Sequence, residues 1–198
     1  MKWLMRGLSV LLVLCGVALA ALLYYRAGHP RTIPVPDTIR AQATLPIGQL
    51  TPLEPKLPAP DLGFTTRRGE PKRLADFTGR PVLVNLWATW CGPCIEEMPS
   101  LGRLQAQLGG DLAILAISED RSGAAAVEPF LARVAVGDLA VYLDATDAAI
   151  KAFGVQGLPT TLLIGRDGKV AFKLEGAADW DSPAMVARLR AFIEAKTP

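Results

Sequence analysis

Trp90-Cys91-Gly92-Pro93-Cys94 stands between an apolar run at 81–87 and an amphipathic stretch at 95–108. The first run is typical of a buried strand, and the second, whose apolar residues recur at helical spacing, predicts a helix. Two cysteines this close can form a small disulfide ring. At the start of a helix, backbone N–H groups and the positive helix end lower the pKa of a thiol. Because the resulting thiolate attacks disulfides, such a pair can pass two electrons to another protein.

The same cysteine spacing also occurs in zinc sites and in structural disulfides. A zinc site needs two more ligands, and the other candidates are Cys15, in an apolar N-terminal segment, and His29, in a proline-rich stretch. As a structural disulfide the pair closes almost no loop, so it constrains the unfolded chain very little. Both alternatives are disfavoured, and the sequence predicts neither a bound metal nor a cofactor.

Charge is distributed unevenly along the 198 residues, whose formal net charge is +2. Residues 1–56 carry six Lys/Arg and two Asp/Glu, whereas residues 57–198 carry 15 Lys/Arg and 17 Asp/Glu. The larger part is therefore near neutral and has no basic patch, which argues against nucleic-acid binding. Its length suits one domain with a real hydrophobic core.

Residues 1–26 are predicted to be an N-terminal membrane anchor or a signal sequence. The uncharged apolar run at 8–25 approaches the length that a hydrocarbon core of ~30 Å requires. A cleaved signal peptide is the alternative, because Ala18-Leu19-Ala20 has the small-x-small pattern of a cleavage site. The length of the run and the Tyr24-Tyr25 pair favour an uncleaved transmembrane helix. Either interpretation places the domain outside the cytoplasm, in an oxidising compartment where a CxxC pair is relevant to redox chemistry.

A proline-rich linker is predicted at 27–56, and the folded domain at 57–198. Proline lacks a backbone N–H and favours extended conformations, so a high proline density predicts a tether without regular helix or sheet. The prolines of residues 27–60 are Pro30, Pro34, Pro36, Pro46, Pro52, Pro55, Pro58 and Pro60.

After the linker, strands alternate with helices, which predicts an α/β sheet with helices on both faces. An extra β-hairpin is expected around a turn at 67–70, ahead of the strand at 81–87. A continuous apolar run at 112–118 predicts a second buried strand. The remaining predicted elements are a helix at 123–136, a strand at 141–143, a helix at 147–153, strands at 160–164 and 170–174 joined by a tight turn, and a terminal helix at 180–195.

Taken together, these residues resemble the thioredoxin superfamily over roughly 57–196. The resemblance rests on Trp87-Ala88-Thr89-Trp90-Cys91-Gly92-Pro93-Cys94, on Pro99, and on Gly157-Leu158-Pro159-Thr160 before a strand hairpin. The apolar N-terminus, the extra hairpin and the helix and strand added between 122 and 143 look like the membrane-tethered TlpA/ResA/CcmG branch. The resemblance implies a thioredoxin-like α/β fold with a central mixed sheet flanked by helices, an N-terminal β-hairpin extension and an inserted helix-strand, preceded by one transmembrane helix.

The resemblance also implies roles for individual residues. Cys91 is expected to be the exposed nucleophile, and Cys94, less exposed, the cysteine that resolves the mixed disulfide. Pro159 is expected to be a cis-proline that lies against the disulfide. The residues expected to shape the site or to contact a bound substrate are Trp90, Gly92, Pro93, Leu158 and Thr160.

Glu97 is predicted to accept a proton near the thiols. It follows Cys94 by three residues, one helical turn along. Cytoplasmic thioredoxins usually have a buried aspartate where this chain has Asn85, which does not titrate. A partly buried carboxylate at Glu97, as in ResA-type proteins, would have a raised pKa and could take the proton from Cys94. The alternative is a solvated charge on the helix face, beside Glu96.

The function that the resemblance implies is an exported thiol-disulfide oxidoreductase that reduces disulfides in partner proteins. It would be a single-pass protein of the bacterial inner membrane, with a monomeric catalytic domain in the periplasm or elsewhere outside the cytoplasm. The expected partners are a membrane electron donor of the DsbD/CcdA type and, as clients, apocytochrome c or a copper-delivery protein. A disulfide oxidase or isomerase is the alternative with the same chemistry. A Sco-like copper chaperone is less favoured, because it needs a CxxxC spacing and a histidine partner.

Overall fold

The computed structural model describes residues 48–195. Within them, no helix has both the length and the apolar character needed to cross a membrane. The anchor predicted at 1–26 lies outside the described residues, as do residues 27–47 of the predicted linker. The strands are β1 (Thr51–Pro58), β2 (Gly63–Thr66), β3 (Pro71–Arg73), β4 (Val82–Trp87), β5 (Ala113–Ser118), β6 (Val141–Leu143), β7 (Thr160–Ile164) and β8 (Lys169–Glu175), and the helices are α1 (Gly92–Leu108), α2 (Ala124–Leu131), α3 (Ala148–Ala152) and α4 (Pro183–Glu194), with a 3₁₀ turn at Leu74–Phe77.

All eight strands of the described residues join one mixed sheet in the order β1-β8-β7-β4-β5-β6-β2-β3. β4, β5 and β6 run parallel to one another, whereas β7 is antiparallel to both β4 and β8. The predicted mixed α/β sheet is therefore confirmed. Since Leu86 pairs with Thr160, the start of β7 lies beside the C-terminal end of β4.

The central strand β4 is buried on both faces, as its apolar run predicted. Neighbouring residues of a strand point to opposite faces. Leu83 and Trp87 accordingly belong to the hydrophobic core between the sheet and α1, while Val84 and Leu86 belong to the core on the other face of the sheet. On the first face α1 buries a stripe of apolar side chains at helical spacing, which consists of Met98, Leu101, Leu104 and Leu108.

The hairpin β2–β3 and the inserted pair α2–β6 occupy their predicted places. β2 pairs with β6, so the hairpin extends the sheet beyond the inserted strand. α2 ends at Leu131, whereas the sequence predicted a helix to residue 136. Beyond α2 the chain packs on α1, where the Val136 carbonyl oxygen lies so near Gly102 that a Cβ there would be 2.3 Å away. Val136 makes this backbone contact from the irregular segment that follows the end of α2.

The linker prediction is wrong for residues 51–56, because β1 pairs with β8 at the edge of the sheet. An edge strand leaves one row of N–H groups unpaired, so a proline there removes no hydrogen bond from the sheet. The pairing is also irregular between Pro52 and Leu57, and irregular strands tolerate proline as well. The described fold therefore begins before residue 57.

Candidate active site around Cys91 and Cys94

Cys91 and Cys94 form a disulfide at the N-terminus of α1. Cys91 is the N-cap residue, and its Sγ accepts a hydrogen bond of 3.3 Å from the backbone N–H of Cys94. Pro93 lies in the first turn, where the absence of an N–H costs no helical hydrogen bond. After reduction, the Cys91 sulfur would face the N–H groups and the positive end of α1, which stabilise a thiolate.

The two cysteines differ in exposure in the predicted order, but Cys91 is less exposed than expected. Its residue surface is 6% exposed, while Cys94 is 0% exposed. The expectation of an openly exposed nucleophile is thus corrected, because Cys91 belongs to the hydrophobic core cluster over α1. Around it Gly92 and Pro93 are exposed, and Trp90 is 71% exposed, an unusually large apolar surface. A partner can therefore approach Cys91 across Trp90 and the turn.

Pro159 follows a cis peptide bond, as the resemblance implies. It immediately precedes β7. The start of β7 lies beside the C-terminal end of β4, where the chain continues towards Cys91. Leu158 is half-buried and packs against both core clusters. Thr160 differs from its predicted role: its side chain is fully buried, and its hydroxyl donates a 2.7 Å hydrogen bond to the Gly157 carbonyl oxygen. A bound partner therefore cannot contact that side chain directly.

Glu97 is buried and its carboxyl accepts three hydrogen bonds. Asn85 Nδ2 donates to Oε1 at 2.8 Å, while Trp180 Nε1 and the backbone N–H of Ala178 donate to Oε2 at 2.9 and 3.0 Å. Burial raises the pKa of Glu97, and the three donors, in the order Asn85, Trp180 and Ala178, oppose that rise because they stabilise the ionised form. The solvated helix-face charge considered from sequence is therefore excluded.

Asn85 connects Glu97 to the sheet. Its Nδ2 also donates to Thr161 Oγ1 at 3.0 Å, so β4, α1 and β7 meet in one polar cluster. Within the described part of the chain, the buried Asn85 Oδ1 has no hydrogen-bond partner. The amide could therefore rotate and offer an acceptor if the group at position 97 became a donor.

Sequence reasoning missed Trp180 and Ser100, which complete this cluster. Ser100 Oγ donates to the Glu97 carbonyl oxygen at 2.8 Å and accepts from the Trp180 backbone N–H at 3.1 Å. Ser100 lies three residues after Glu97, on the same face of α1. That spacing was the one available signal, whereas nothing local to Trp180 indicates that it reaches α1.

A third missed residue, Asp120, holds the loop that leads to Cys91. Its Oδ2 accepts from the Thr89 backbone N–H at 2.9 Å and from Ser118 Oγ at 2.8 Å, and its Oδ1 accepts from Thr89 Oγ1 at 2.7 Å. β4 and β5 are parallel neighbours, so the residues that follow them meet at the same edge of the sheet. Asp120 therefore joins the end of β5 to the active-site loop.

Next to Asp120, Glu119 is a buried acid outside the cysteine site. Neither carboxyl oxygen of Glu119 has a hydrogen-bond partner among the residues that the structure describes. Burial, followed by the negative charges of Asp144 and Asp147, raises the pKa of Glu119 to about 8. At neutral pH the folded protein therefore holds a proton on this side chain.

Within residues 48–195, no group of three or more His, Cys, Asp or Glu side chains is arranged to hold a metal ion.

Known proteins are similar to this chain in sequence and in fold. The Redoxin family model matches residues 54–190. A "Thiol-disulfide oxidoreductase ResA" from Geobacillus thermodenitrificans is 35% identical over 115 residues, which are 57% of this chain and 64% of that protein. A protein of the same name from Bacillus thuringiensis subsp. konkukian is 35% identical over 119 residues, 60% of this chain and 68% of that protein. The chain thus spans less than two thirds of the first relative's length.

Among solved structures, a Chlorobium tepidum protein assigned as the thiol:disulfide interchange protein DsbE has the same fold. It is 29% identical to this chain and superposes with a TM-score of 0.63. The superposition covers 73% of this chain and 99% of the other.

Proposed function

Because this chain belongs to the Redoxin family within the thioredoxin superfamily, we propose that it is a thiol-disulfide oxidoreductase that reduces disulfides in partner proteins. The observation that carries the proposal is the Cys91–Cys94 disulfide at the start of α1, in which Cys91 is slightly exposed and Cys94 is fully buried. The names of the relatives, ResA and DsbE, support the same chemistry.

The reaction begins with the reduced pair. The Cys91 thiolate attacks one sulfur of the partner's disulfide, forming a mixed disulfide and releasing the other sulfur as a thiolate. Cys94 then loses its proton and attacks the Cys91 sulfur, which releases the second partner thiol. The partner has gained two electrons, and Cys91 and Cys94 are again joined as in this structure.

Glu97 is the proposed acceptor of the Cys94 proton. It lies one turn beyond Cys94 on α1, is buried, and has a pKa that burial raises. A carboxylate whose pKa lies nearer that of a thiol is a better base toward it. Asn85, at the position where thioredoxins usually have an aspartate, cannot take this role and instead donates a hydrogen bond to Glu97.

Replacing Glu97 by glutamine should slow the resolving step by at least about tenfold, because a positioned general base typically contributes that much or more. The amide fits, since Asn85 can present its unpartnered Oδ1 to it. The measurement is the exchange rate between the reduced full chain and a small disulfide from pH 5 to 9. The wild-type exchange rate should rise with pH as Glu97 ionises, and the part of the rise that depends on Glu97 should be absent in Glu97→Gln. Glu96→Gln, which removes an exposed charge on the same helix, is the control and should keep it. An unchanged Glu97→Gln profile would rule the role out.

The direction of the reaction is proposed to be reductive, because Gly92-Pro93 between the cysteines is typical of reducing members of the superfamily. We expect a reduction potential near or below about −220 mV for the Cys91–Cys94 pair. The full chain, with Cys15→Ser so that only this pair reacts, would be equilibrated with thiol buffers and its free thiols trapped. A potential near about −120 mV would instead assign disulfide formation.

The cellular setting is a proposal that rests on the apolar run at 8–25 and on resemblance to the ResA branch. The domain would be tethered outside the cytoplasm, and a DsbD/CcdA-type membrane protein would return electrons to Cys91–Cys94. Its clients would be apocytochrome c or a copper-delivery protein, whose cysteines must be reduced before haem or copper is added. The direct test is whether the reduced full chain reduces an oxidised CxxCH peptide or an oxidised copper-site protein faster than an unrelated disulfide protein.

A further inference from the structure

Trp180 lies on the short segment between β8 and α4, far from Glu97 in sequence. Its side chain is fully buried, and its indole N–H donates to Glu97 Oε2 at 2.9 Å. The backbone N–H of Ala178 donates to the same oxygen at 3.0 Å, and Asn85 supplies the donor for the other oxygen. The Glu97 carboxyl is therefore surrounded by N–H donors from two separate parts of the chain.

The segment that carries Trp180 is attached to α1 by contacts that do not use the Glu97 carboxyl. The Trp180 backbone N–H donates to Ser100 Oγ at 3.1 Å. Farther along α1, Arg103 forms a two-bond ion pair with Asp181, at 2.6 and 3.0 Å. At the start of the segment, the Gly176 N–H donates to the Pro159 carbonyl oxygen at 2.9 Å. The indole is thus presented to Glu97 from a fixed position.

Among the residues that the structure describes, the groups in contact with the Glu97 carboxyl are all uncharged. From the sheet this is Asn85, which also donates to Thr161, and from the segment they are Ala178 and Trp180. Of the other charged side chains on α1 and the segment, Glu96 and Asp179 are exposed, and Arg103 is paired with Asp181. Cys94, three residues earlier on α1, becomes titratable once it is reduced. Neutral donors, rather than ion pairs, therefore oppose the effect of burial on Glu97.

We propose that Trp180 is a positioning residue for Glu97, whose indole N–H orients the carboxyl and sets how readily it takes the proton from Cys94. The inference rests on the proposed function for the role of Glu97 and adds the residue that tunes it. In the step concerned, the S–H bond of Cys94 breaks and an O–H bond forms on Glu97, with no change of oxidation state. Loss of the indole donor would leave the carboxylate less stabilised and raise its proton affinity.

The first test is Trp180→Phe in the oxidised full chain, which keeps a buried ring but removes the donor. The titration of the Glu97 carboxyl would be followed by carbon NMR and assigned with Glu97→Gln. Its midpoint should rise by about one pH unit, the loss expected for one hydrogen bond to a charged group. Trp87→Phe is the matched control, because Trp87 is equally buried and its Nε1 has no partner in the described region. The control should leave the midpoint unchanged. An unchanged midpoint in Trp180→Phe would overturn the inference.

A second measurement does not depend on the stability of that variant. In the wild-type chain the indole N–H resonance of Trp180 should shift with the same midpoint as the Glu97 carboxyl, and Glu97→Gln should abolish the shift. An indole resonance that does not respond to pH would contradict the proposal.

Exchange kinetics separate this inference from the proposed function. If both the proton-acceptor role of Glu97 and the positioning role of Trp180 hold, Trp180→Phe shifts the pH profile of exchange to higher pH together with the Glu97 midpoint. In a Glu97→Gln background, Trp180→Phe then has no further effect on the pH profile. If Glu97→Gln leaves the profile unchanged while Trp180→Phe still moves the carboxyl titration, the proton-acceptor role fails and the positioning contact stands. If the carboxyl titration is unmoved but Glu97→Gln alters the profile, only the role of Trp180 fails.

Discussion

Replacing Cys94 by serine should trap the partner on Cys91 and abolish multiple turnover. Cys94 is fully buried behind Cys91, and its backbone N–H points at the Cys91 sulfur. In the variant the first attack still proceeds, but no second thiol is in place to displace the product. The measurement uses an aromatic disulfide that releases a coloured thiolate. The reduced pair should release both halves, whereas Cys94→Ser should release one half and keep the other bound.

The mirror variant, Cys91→Ser, provides the control for this prediction. Its remaining thiol is 0% exposed, so it should neither release the coloured thiolate at a comparable rate nor form a stable adduct. Both variants would carry Cys15→Ser, because Cys15 is the third cysteine of the chain. Adduct formation by Cys91→Ser but not by Cys94→Ser would reverse the assigned roles of the two cysteines.

Replacing Glu119 by glutamine should remove a large part of the pH dependence of stability. Burial and the charges of Asp144 and Asp147 raise the pKa of Glu119 to about 8, from an ordinary value of 4.5. Between these values the folded state holds a proton that the unfolded chain releases, so raising the pH destabilises the fold. The contribution is complete below pH 4.5 and is lost as the pH rises through about 8. One such proton changes the free energy of unfolding by up to about 1.4 kcal/mol per pH unit.

Denaturant unfolding of the full chain at several pH values would measure this effect. The wild type should lose stability relative to Glu119→Gln as the pH rises, and the difference should be smallest near pH 5. Glu194→Gln, at the exposed end of α4, removes a charge of the same type and should follow the wild-type curve. Parallel curves for wild type and Glu119→Gln would mean that the pKa of Glu119 is the same in the folded and unfolded states, and would contradict the prediction.

Much of the fold could be predicted because its signals are local. The apolar run of β4 and the helical spacing of Met98, Leu101 and Leu104 correspond to a buried strand and to the covered face of α1. The thioredoxin-like α/β fold is confirmed by the solved structure of the Chlorobium tepidum relative. The spacing of apolar residues predicts these elements because burial on both faces of a strand requires a continuous apolar run, and burial on one face of a helix requires apolar residues at helical spacing.

β1 shows where local reasoning fails. The proline density of the linker correctly disfavours helix, but it does not exclude an edge strand whose free N–H groups point away from the sheet. Thr51–Pro58 forms a strand because it pairs with the open edge of β8, whose residues lie more than a hundred positions later in the chain. A pattern read along the chain contains no information about that edge.

The exposure of individual site residues also depended on packing. Cys91 and Thr160 were both expected to be available to a partner, yet the first is mostly covered and the second is fully buried with its hydroxyl bonded to Gly157. Chain position correctly predicted that they belong to the turn and to the start of β7. The degree of covering follows from how α1 and the sheet close over them, which neighbouring residues do not specify.

By itself, the sequence determined the chemistry available at the site: a pair of cysteines at a helix start, a carboxyl one turn later, and a proline before a strand hairpin. The tertiary structure alone decided the surroundings of that carboxyl. Asn85 is 12 residues from Glu97, and Ala178 and Trp180 are 81 and 83 residues away. These donors reach Glu97 only when β4, α1 and the segment after β8 pack together. Proton affinity in a buried site depends on desolvation and on such donors, so it is a property of the packed fold.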